Sequence, residues 1–341
     1  MKRLFLSVMS AVVLAVGCGA PVPTPVPSGP TPVPTTPPLQ RLTVGLGYIP
    51  SVQFAQFYRA KVQGYYADAG LDVTFNNGDD SNLVTLIAQG TDDIGIADGT
   101  SVIPAVGQNI HIKYVATIYG QFPNVVIASA SSGISVAADL RGKTIGIPGA
   151  YGSSWIMLQA LLSSANMTTS DIVERDYPDY GQGVALQQGL VQAATAFRNN
   201  EAVQLGLAGF ATTQLAVDDV VPLPGPGLIV SDATLASKKD ALKAFVAATL
   251  RAMTEIDANP ELGLDDAIAV VPELASNRAT QLAILQATID MWHSSNDPGS
   301  AFGSIYESGW NFSLSFMKDL PGANIPDTVT VEDLISTELL P

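Results

Sequence analysis

RLTVGLGYIPSVQFAQFYRAKVQGYYADAGLDVTF, residues 41–75, is the stretch that decides the fold. Apolar and small or polar residues alternate over residues 42–46, which predicts a strand buried in a sheet. Apolar side chains then recur at helical spacing over residues 54–62, and Gly64 is typical of the position just past a helix end. Alternation returns over residues 71–75. The stretch therefore predicts a strand, a loop, a helix and a second strand.

The loop after the first predicted strand, residues 47–54, is the first place to expect function. In open α/β sheets, ligands bind outside the carboxyl ends of the strands. This loop leaves such an end and carries aromatic, hydroxyl and amide side chains. We therefore expect it to face a ligand.

The same alternation of strands and helices continues through the chain, which implies parallel sheets with right-handed crossovers. Residues 89–97 and 188–196 share one element order, a helix, a glycine, a strand and a polar loop. This echo favours two similar lobes, and the alternative is a chance likeness of two short units. The predicted fold class is α/β, with two doubly wound lobes joined by a two-segment hinge.

The domain boundaries follow from these elements. Lobe 1 is predicted to comprise residues 41–128 and 223–341, and lobe 2 to comprise residues 129–222. The Pro- and Gly-rich run at residues 222–227 is typical of a hinge segment. Beyond it the chain is mostly helical, with one helix predicted over residues 300–320, and we expect this part to cover lobe 1 and the hinge.

Composition limits the possible functions. The chain has 341 residues, 47% hydrophobic and only 14% charged, which suits two lobes with sizeable cores. Its net charge of −15 argues against nucleic acid or an anionic membrane surface as a partner. An acidic surface that aids solubility is the simpler interpretation of that charge.

The N-terminus has the features of a targeting segment. Lys2 and Arg3 precede an apolar run over residues 4–16, which is typical of a signal peptide and short for a membrane span. Cys18, the only cysteine of the chain, stands where a bacterial lipoprotein signal places the lipidated residue. Ala15 occupies a position where a larger aliphatic residue is usual. Lipidation is the favoured interpretation, and ordinary secretion with an incidental cysteine is the alternative.

Residues 1–18 are thus predicted to be the lipoprotein signal peptide, and residues 19–40 a Pro-rich linker. Such a composition favours an extended chain that reaches up to roughly 60 Å. We expect the linker to hold the folded lobes away from the membrane.

Several catalytic motifs are absent from the sequence. There is no dinucleotide-binding or phosphate-binding glycine loop and no nucleophile elbow. His111 and His293 lack the spacing of metal ligands, so structural roles are favoured over a metal site. No nucleophile with a neighbouring base is recognisable. We therefore predict a protein that is not an enzyme and has no cofactor or metal.

The predicted strand ends instead carry aromatic, amide, hydroxyl and a few carboxyl side chains. This set suits an uncharged planar ligand better than an anion, because aromatic rings stack and amides or carboxylates pair with ring N–H and carbonyl groups. For single aromatic residues, core packing is the alternative. The two serines at the start of a predicted helix fit either anion binding or simple N-capping. The candidate ligand-binding residues are Tyr48, Gln53, Phe54, Asp98, Tyr119, Gln121, Asn124, Tyr151, Ser153, Ser154, Trp155, Tyr177, Tyr180, Asn200 and Glu201.

Four stretches together resemble the type II solute-binding proteins of ABC importers, in the branch of thiamine-pyrimidine, nitrate and alkanesulfonate binders. They are GYIPSVQFAQFYRAKVQGYYADAGLDV (47–73), GTDDIGIADGTSV (90–102), LRGKTIGIPGAYGSSW (140–155) and FRNNEAVQL (197–205). The resemblance implies a type II periplasmic-binding-protein fold and a monomeric, extracytoplasmic, lipid-anchored protein that delivers a small molecule to a membrane permease. Gln192 departs from the pattern, since many relatives carry an aspartate there.

The resemblance also bears on the ligand. VQFAQFY in the first loop and the NNE segment are similar to the RibY type, the riboflavin-binding lipoproteins of importers, which implies riboflavin as the transported ligand. A thiamine pyrimidine precursor is the alternative, and a sulfonate- or nitrate-type anion is the less favoured one. The pyrimidine synthases of the same fold rely on a cysteine-rich motif and an active histidine, and no cysteine follows Cys18 here.

Overall fold

The computed structural model describes Gly17 and residues 38–78, 82–320 and 323–341. Apart from Gly17, the predicted signal peptide with its lipidation site Cys18 and nearly all of the Pro-rich linker therefore lie outside the described residues. The linker was expected to reach residue 40, whereas Gln40 already pairs in the first strand. Pro38–Pro341 form one unit, which carries the fold.

The strands follow the alternating apolar segments of the sequence. In chain order they are β1 (Gln40–Gly45), β2 (Leu71–Asn76), β3 (Ile94–Ala97), β4 (Ile112–Thr117), β5 (Asn124–Ser129), β6 (Thr144–Ile147), β7 (Val173–Asp176), β8 (Ala193–Phe197), β9 (Thr212–Ala216) and β10 (Gly227–Ser231).

The helices lie between these strands and fill the C-terminal part of the chain. They are α1 (Ala55–Val62), α2 (Tyr65–Asp68), α3 (Leu83–Ala88), α4 (Gly99–Gly107), α5 (Gly152–Ser164), α6 (Gln182–Gln187), α7 (Glu201–Leu207), α8 (Asp232–Ala258), α9 (Pro260–Val270), α10 (Arg278–Trp292), α11 (Glu307–Lys318) and α12 (Val331–Leu334). None of the described helices is long and apolar enough to cross a membrane.

The strands form two sheets with the same arrangement. The first sheet has the order β2-β1-β3-β10-β4, and the second has the order β7-β6-β8-β5-β9. In each sheet the central strands are parallel, and the fourth strand is antiparallel to both of its neighbours. The prediction of purely parallel sheets was therefore wrong at β5 and β10. Each of these strands follows a crossover and enters its sheet from the opposite direction.

Each sheet is covered on both faces, as expected for an α/β lobe. In the first lobe, one apolar cluster packs α1, α8 and α10 on one face, and a second packs α3, α4 and α11 on the other. In the second lobe, α5 covers one face, while α6 and α7 cover the other.

The sheet pairing moves one domain boundary. Residues 124–129 were expected to belong at least in part to lobe 1, whereas β5 pairs with β8 and β9 of the second sheet. The first crossover thus lies between β4 and β5, before Asn124. The sequence of a short apolar strand does not indicate which sheet the strand joins, because its pairing partners are distant in the chain.

Two further differences concern single elements. The helix expected over residues 300–320 begins only at Glu307. Gly303 adopts a φ of 90° and bridges to Thr117, so the preceding residues are not helical. The strand β9 was not predicted, because its sequence TTQLA alternates too weakly over five residues.

The two crossovers lie side by side. The N–H groups of Ile118 and Tyr119 in the first crossover donate to the carbonyl oxygen of Pro226 in the second, at 3.2 and 2.8 Å. A Cβ atom on Gly225 would lie 2.4 Å from the carbonyl oxygen of Tyr119 and 2.7 Å from that of Gln121. The close approach of the crossovers therefore requires glycine at residue 225.

The C-terminal helices hold both crossovers from outside. Gln121 Nε2 donates to the carbonyl oxygens of Asp290 and His293 at the end of α10, at 3.0 Å each. Ser313 Oγ of α11 donates to the carbonyl oxygen of Pro222 at 3.1 Å. The C-terminal segment thus covers the first lobe and the hinge, as the sequence predicted.

We expect Gly225→Ala to lower the free energy of unfolding by about 2 kcal/mol, because the methyl group has to separate two backbone segments. Gly206→Ala is the matched control. It lies inside α7 with no atom within 4 Å of the added Cβ. It should be neutral or stabilising by up to about 1 kcal/mol, since alanine favours the helix. Urea unfolding compares the two variants, and equal stabilities would contradict the role given to Gly225.

Candidate functional site

The carboxyl ends of β1 and β8 come together through a buried polar contact between the lobes. Asn199, which follows β8, donates through Nδ2 to Gln53 Oε1 and to Thr288 Oγ1, both at 2.9 Å. Asn199 is fully buried, and its Oδ1 atom has no hydrogen-bond partner. We call Gln53, Asn199 and Thr288 the interlobe junction.

Local structure fixes the two partners from lobe 1. Gln53 lies in a short 3-10 turn, Val52–Phe54, whose N-cap Ser51 accepts hydrogen bonds from the backbone N–H and the side-chain amide of Gln53. Thr288 Oγ1 donates to the carbonyl oxygen of Ile284 in α10 at 2.8 Å. The threonine oxygen therefore has only lone pairs to offer Asn199, which fixes the orientation of the asparagine amide.

Tyr119 approaches the interlobe junction from the first crossover. Burial raises the pKa of its phenol, while the nearby polar side chains of Thr288 and Asn199 oppose that rise. The junction thus brings together side chains from the first loop, the first crossover, α10 and the loop after β8.

A second pair connects the same two loops nearer the surface. Glu201 Oε2 accepts a hydrogen bond from the backbone N–H of Phe197 at 2.7 Å, and burial raises the pKa of the Glu201 carboxyl. Burial, followed by the negative charge of Glu201, raises the pKa of Tyr48, and a hydrogen bond with the side chain of Asn200 opposes this rise. The phenol of lobe 1 and the carboxyl of lobe 2 therefore lie within electrostatic reach of one another.

The carboxyl edge of the second sheet carries buried polar side chains whose atoms lack partners. Gln182 Nε2 donates to the carbonyl oxygen of Thr195, which leaves Gln182 Oε1 without a donor. Asn124 Nδ2 contacts Ser154 Oγ at 2.8 Å, and Asn124 Oδ1 has no partner. Thr195 Oγ1 and the hydroxyl of Tyr177 are also unpartnered. We call Asn124, Ser154, Tyr177, Gln182 and Thr195 the second-lobe polar edge.

Eight of the candidate residues from the sequence lie at the interlobe contacts or in the second-lobe polar edge. They are Tyr48, Gln53, Tyr119, Asn124, Ser154, Tyr177, Asn200 and Glu201.

Four other candidates have structural contacts. Asp98 caps α4 by accepting hydrogen bonds from Ser101 N and Thr100 Oγ1. Phe54 packs edge-on against Tyr58 in the core of lobe 1, and Trp155 packs against the core of lobe 2. Gln121 uses its amide to hold the crossover.

The remaining candidates lie at the start of α5 and in the loop after β7. Tyr151 and Tyr180 are 56% and 52% exposed, and Ser153 is partly buried. The N-cap of α5 is Tyr151, with no side-chain capping bond, so N-capping by Ser153 and Ser154, one of the two alternatives for these serines, is not observed.

The sequence prediction missed Asn199, Thr288, Gln182 and Thr195. Asn199 adjoins two candidates, and its position directly after β8 was an available signal. Thr288 lies 89 residues from Asn199, inside α10. No local pattern marks it.

One further acid lies where the loop after β8 meets the crossovers. Asp218 Oδ2 accepts a hydrogen bond from Phe122 N at 3.0 Å. Burial raises the pKa of Asp218 to about 6, although the Phe122 N–H group and the charge of Arg198 act in the opposite direction. Arg198 itself donates to Gln121 Oε1 at 3.1 Å.

The histidines have surface partners outside these groups. His111 lies 3.9 Å from Asp232, and His293 Nε2 lies 2.8 Å from Asp257. Within the described ranges, no group of three or more His, Cys, Asp or Glu side chains is arranged to hold a metal ion.

Comparisons with known proteins agree on one family. The family model described as NMT1/THI5 like matches residues 51–262. The riboflavin-binding protein RibY of Chloroflexus aurantiacus is 32% identical over 339 residues, which cover 97% of this chain and 95% of that protein. A 4-amino-5-hydroxymethyl-2-methylpyrimidine phosphate synthase of Legionella pneumophila is 23% identical and covers 69% of this chain and 75% of its own.

Solved structures show the same fold at low identity. The alkanesulfonate-binding protein SsuA of Xanthomonas axonopodis pv. citri, bound to MOPS, superposes with a TM-score of 0.67 at 16% identity. The match covers 89% of this chain and all of that one. It confirms the two-lobed periplasmic-binding-protein fold.

We expect Asp218 to make the free energy of unfolding depend on pH. Because its folded-state pKa is raised, the folded protein holds a proton that the unfolded chain releases, so its stabilising contribution is present at low pH and is lost as pH rises through about 6. The unfolding free energy of the wild type minus that of Asp218→Asn should rise by about 2 kcal/mol between pH 7 and pH 4. Urea unfolding at several pH values measures this difference. Asp240→Asn, at an exposed position of α8, is the control, and a flat difference for Asp218→Asn would contradict the expectation.

Proposed function

The chain belongs to the NMT1/THI5-like family, and we propose that it is the extracytoplasmic solute-binding protein of an ABC importer that captures riboflavin between its lobes. The observation that carries this proposal is the similarity to the riboflavin-binding RibY, which extends over 97% of the chain. A likeness of that extent includes both lobes, both crossovers and every loop of the candidate site.

The candidate site supports an uncharged aromatic ligand. Tyr48 offers a ring at the surface end of the interlobe contact, and a planar ligand stacked on it gains roughly 0.5–1.5 kcal/mol beyond burial. The unpartnered oxygens of Asn199 and Gln182 are acceptors for the N–H and O–H groups of a flavin and its ribityl chain.

Capture would couple to movement of the lobes about the two crossovers. The interlobe junction closes the described structure through Asn199. Opening breaks these two hydrogen bonds and exposes the carboxyl edges of both sheets. A ligand that contacts both lobes then favours the closed form by its differential affinity, and the closed form delivers it to a membrane permease.

A thiamine pyrimidine precursor is the second candidate ligand. It is favoured by the matches to 4-amino-5-hydroxymethyl-2-methylpyrimidine phosphate synthases, and its ring would use the same stacking and carboxyl pairing. A sulfonate- or nitrate-type anion fits less well, because Glu201 places negative charge in the site.

Binding without catalysis is part of the proposal. The only cysteine of the chain is Cys18, and the two histidines contact surface aspartates rather than residues of the candidate site. The site residues serve to stack, accept hydrogen bonds and exclude water.

Anchoring completes the proposed role. A lipid on Cys18 would hold a monomeric protein at the outer face of the bacterial cell membrane, with the Pro-rich residues before Pro38 as the tether.

Riboflavin fluorescence tests the ligand. Titration of refolded, ligand-free protein should quench the flavin saturably, and Tyr48→Ala should weaken binding about tenfold through the lost stacking. Phe312→Ala, which removes a ring that is 51% exposed on α11, is the control and should bind as the wild type does. Absence of quenching, together with thermal stabilisation by the pyrimidine precursor, would replace riboflavin by the second candidate.

The lipid anchor has its own test. Cys18→Ser should move the protein from the membrane pellet to the supernatant of lysed cells and abolish labelling with a radioactive fatty acid. An unlabelled wild type that already fractionates with the supernatant would contradict lipidation and favour ordinary secretion.

A further inference from the structure

We propose that the site selects the uncharged form of its ligand and rejects the phosphate monoester of the same molecule. The inference rests on the proposed function and extends it, because it names the ligand class that the importer leaves outside. It follows from the charges at the interlobe contact and from the hydrogen-bonding capacity left unused there.

Glu201 supplies the negative charge. Its carboxylate is mostly buried at the start of α7, with Oε2 held by the backbone N–H of Phe197. The backbone N–H group of Phe197, at the end of β8, therefore already donates to a carboxylate of the protein. A phosphate group brought to this loop would meet the carboxylate instead of a free N–H group.

The two basic side chains nearest the site in sequence have other partners. Arg198 donates to Gln121 Oε1 and lies near the Asp218 carboxyl. Arg175 lies on the exposed edge strand β7, with its guanidinium 5.7 Å from the centre of the Tyr177 ring. It donates a hydrogen bond to the carbonyl oxygen of Leu190. Each guanidinium thus already donates one N–H group to an oxygen of the protein, and a phosphate bound in the bidentate geometry typical of arginine would compete with these partners.

The unused atoms of the site are acceptors. Thr288 can only accept from Asn199, and the Thr195 carbonyl oxygen can only accept from Gln182, so both amide groups have fixed orientations. Asn199 Oδ1 and Gln182 Oε1 are therefore left as acceptors without donors, in side chains that are 0% and 3% exposed. A buried acceptor of this kind requires a donor from a ligand or from water.

A hydroxyl group and a phosphate monoester differ in whether they can donate a hydrogen bond to these acceptors. The hydroxyl donates a hydrogen bond to an unpartnered oxygen. The phosphate carries nearly two negative charges at neutral pH and offers acceptors only. It would leave the acceptors of Asn199 and Gln182 unpaired and add repulsion from Glu201.

The experiment compares two matched pairs of ligands on the lipid-free protein. Each pair is an alcohol and its phosphate monoester: riboflavin with riboflavin 5′-phosphate, and 4-amino-5-hydroxymethyl-2-methylpyrimidine with its phosphate. Isothermal titration gives both dissociation constants of each pair. We expect the phosphate to bind at least about 30-fold more weakly than the alcohol, since juxtaposed like charges suppress wrong partners.

Two variants test whether the charge of Glu201 causes the selectivity. Glu201→Gln keeps an oxygen for the Phe197 N–H group and removes the charge, so the ratio of the two dissociation constants should fall about tenfold. Glu273→Gln removes the same charge from an exposed turn and should leave the ratio unchanged. A ratio that is unaffected by Glu201→Gln in a cooperatively folded variant overturns the role of Glu201.

The outcomes separate this inference from the choice of ligand. Equal affinity for riboflavin and its phosphate overturns the selectivity and leaves riboflavin import standing. Selective binding of the pyrimidine alcohol, with neither flavin bound, replaces the ligand and supports the selectivity. If no member of either pair binds, both proposals fail. If Glu201→Gln does not fold, the wild-type ratio alone decides.

Discussion

The close contact of the two crossovers is the constraint on which the structure depends. The carbonyl oxygen of Pro226 accepts hydrogen bonds from the first crossover, and Gly225 lets the backbones meet without a side chain between them. The strand after each crossover enters its sheet antiparallel to its neighbours. With both crossovers in one place, the carboxyl ends of the parallel strands in the two sheets meet. This narrow hinge is what places the two sides of the candidate site next to each other.

The candidate site contains buried polar groups that lack hydrogen-bond partners, and their burial costs free energy. An unpartnered acceptor such as Asn199 Oδ1 typically costs about 1–3 kcal/mol, and Glu201 is a mostly buried acid whose pKa is raised by that burial. The packed helices around both sheets supply the stability that holds these groups in place. Under the proposed function, a ligand that donates hydrogen bonds to these acceptors would remove part of that cost, and its contacts with both lobes would couple binding to closure.

Local patterns predicted most of the elements, and distant contacts decided the rest. The alternation over residues 42–46 and the glycine endings of helices are local signals, and they located β1 and α1 within a few residues. The sheet joined by β5 depends on pairing with β8 and β9, and Thr288 joins the site across 89 residues of sequence. The loop after β8 was predicted to carry function, yet Asn199 was missed beside Asn200 and Glu201. All three side chains interact with lobe 1, and the backbone after the strand decides that Asn199 is the one that is fully buried.

The central claim is that one ligand is held by both lobes at once, between the first loop and the loop after β8. Hydrogen–deuterium exchange with and without saturating riboflavin measures this directly. The account predicts that peptides covering residues 47–54 and 197–201 gain protection together, at the same ligand concentration. Protection confined to one of these peptides, or spread evenly over the chain, would contradict it.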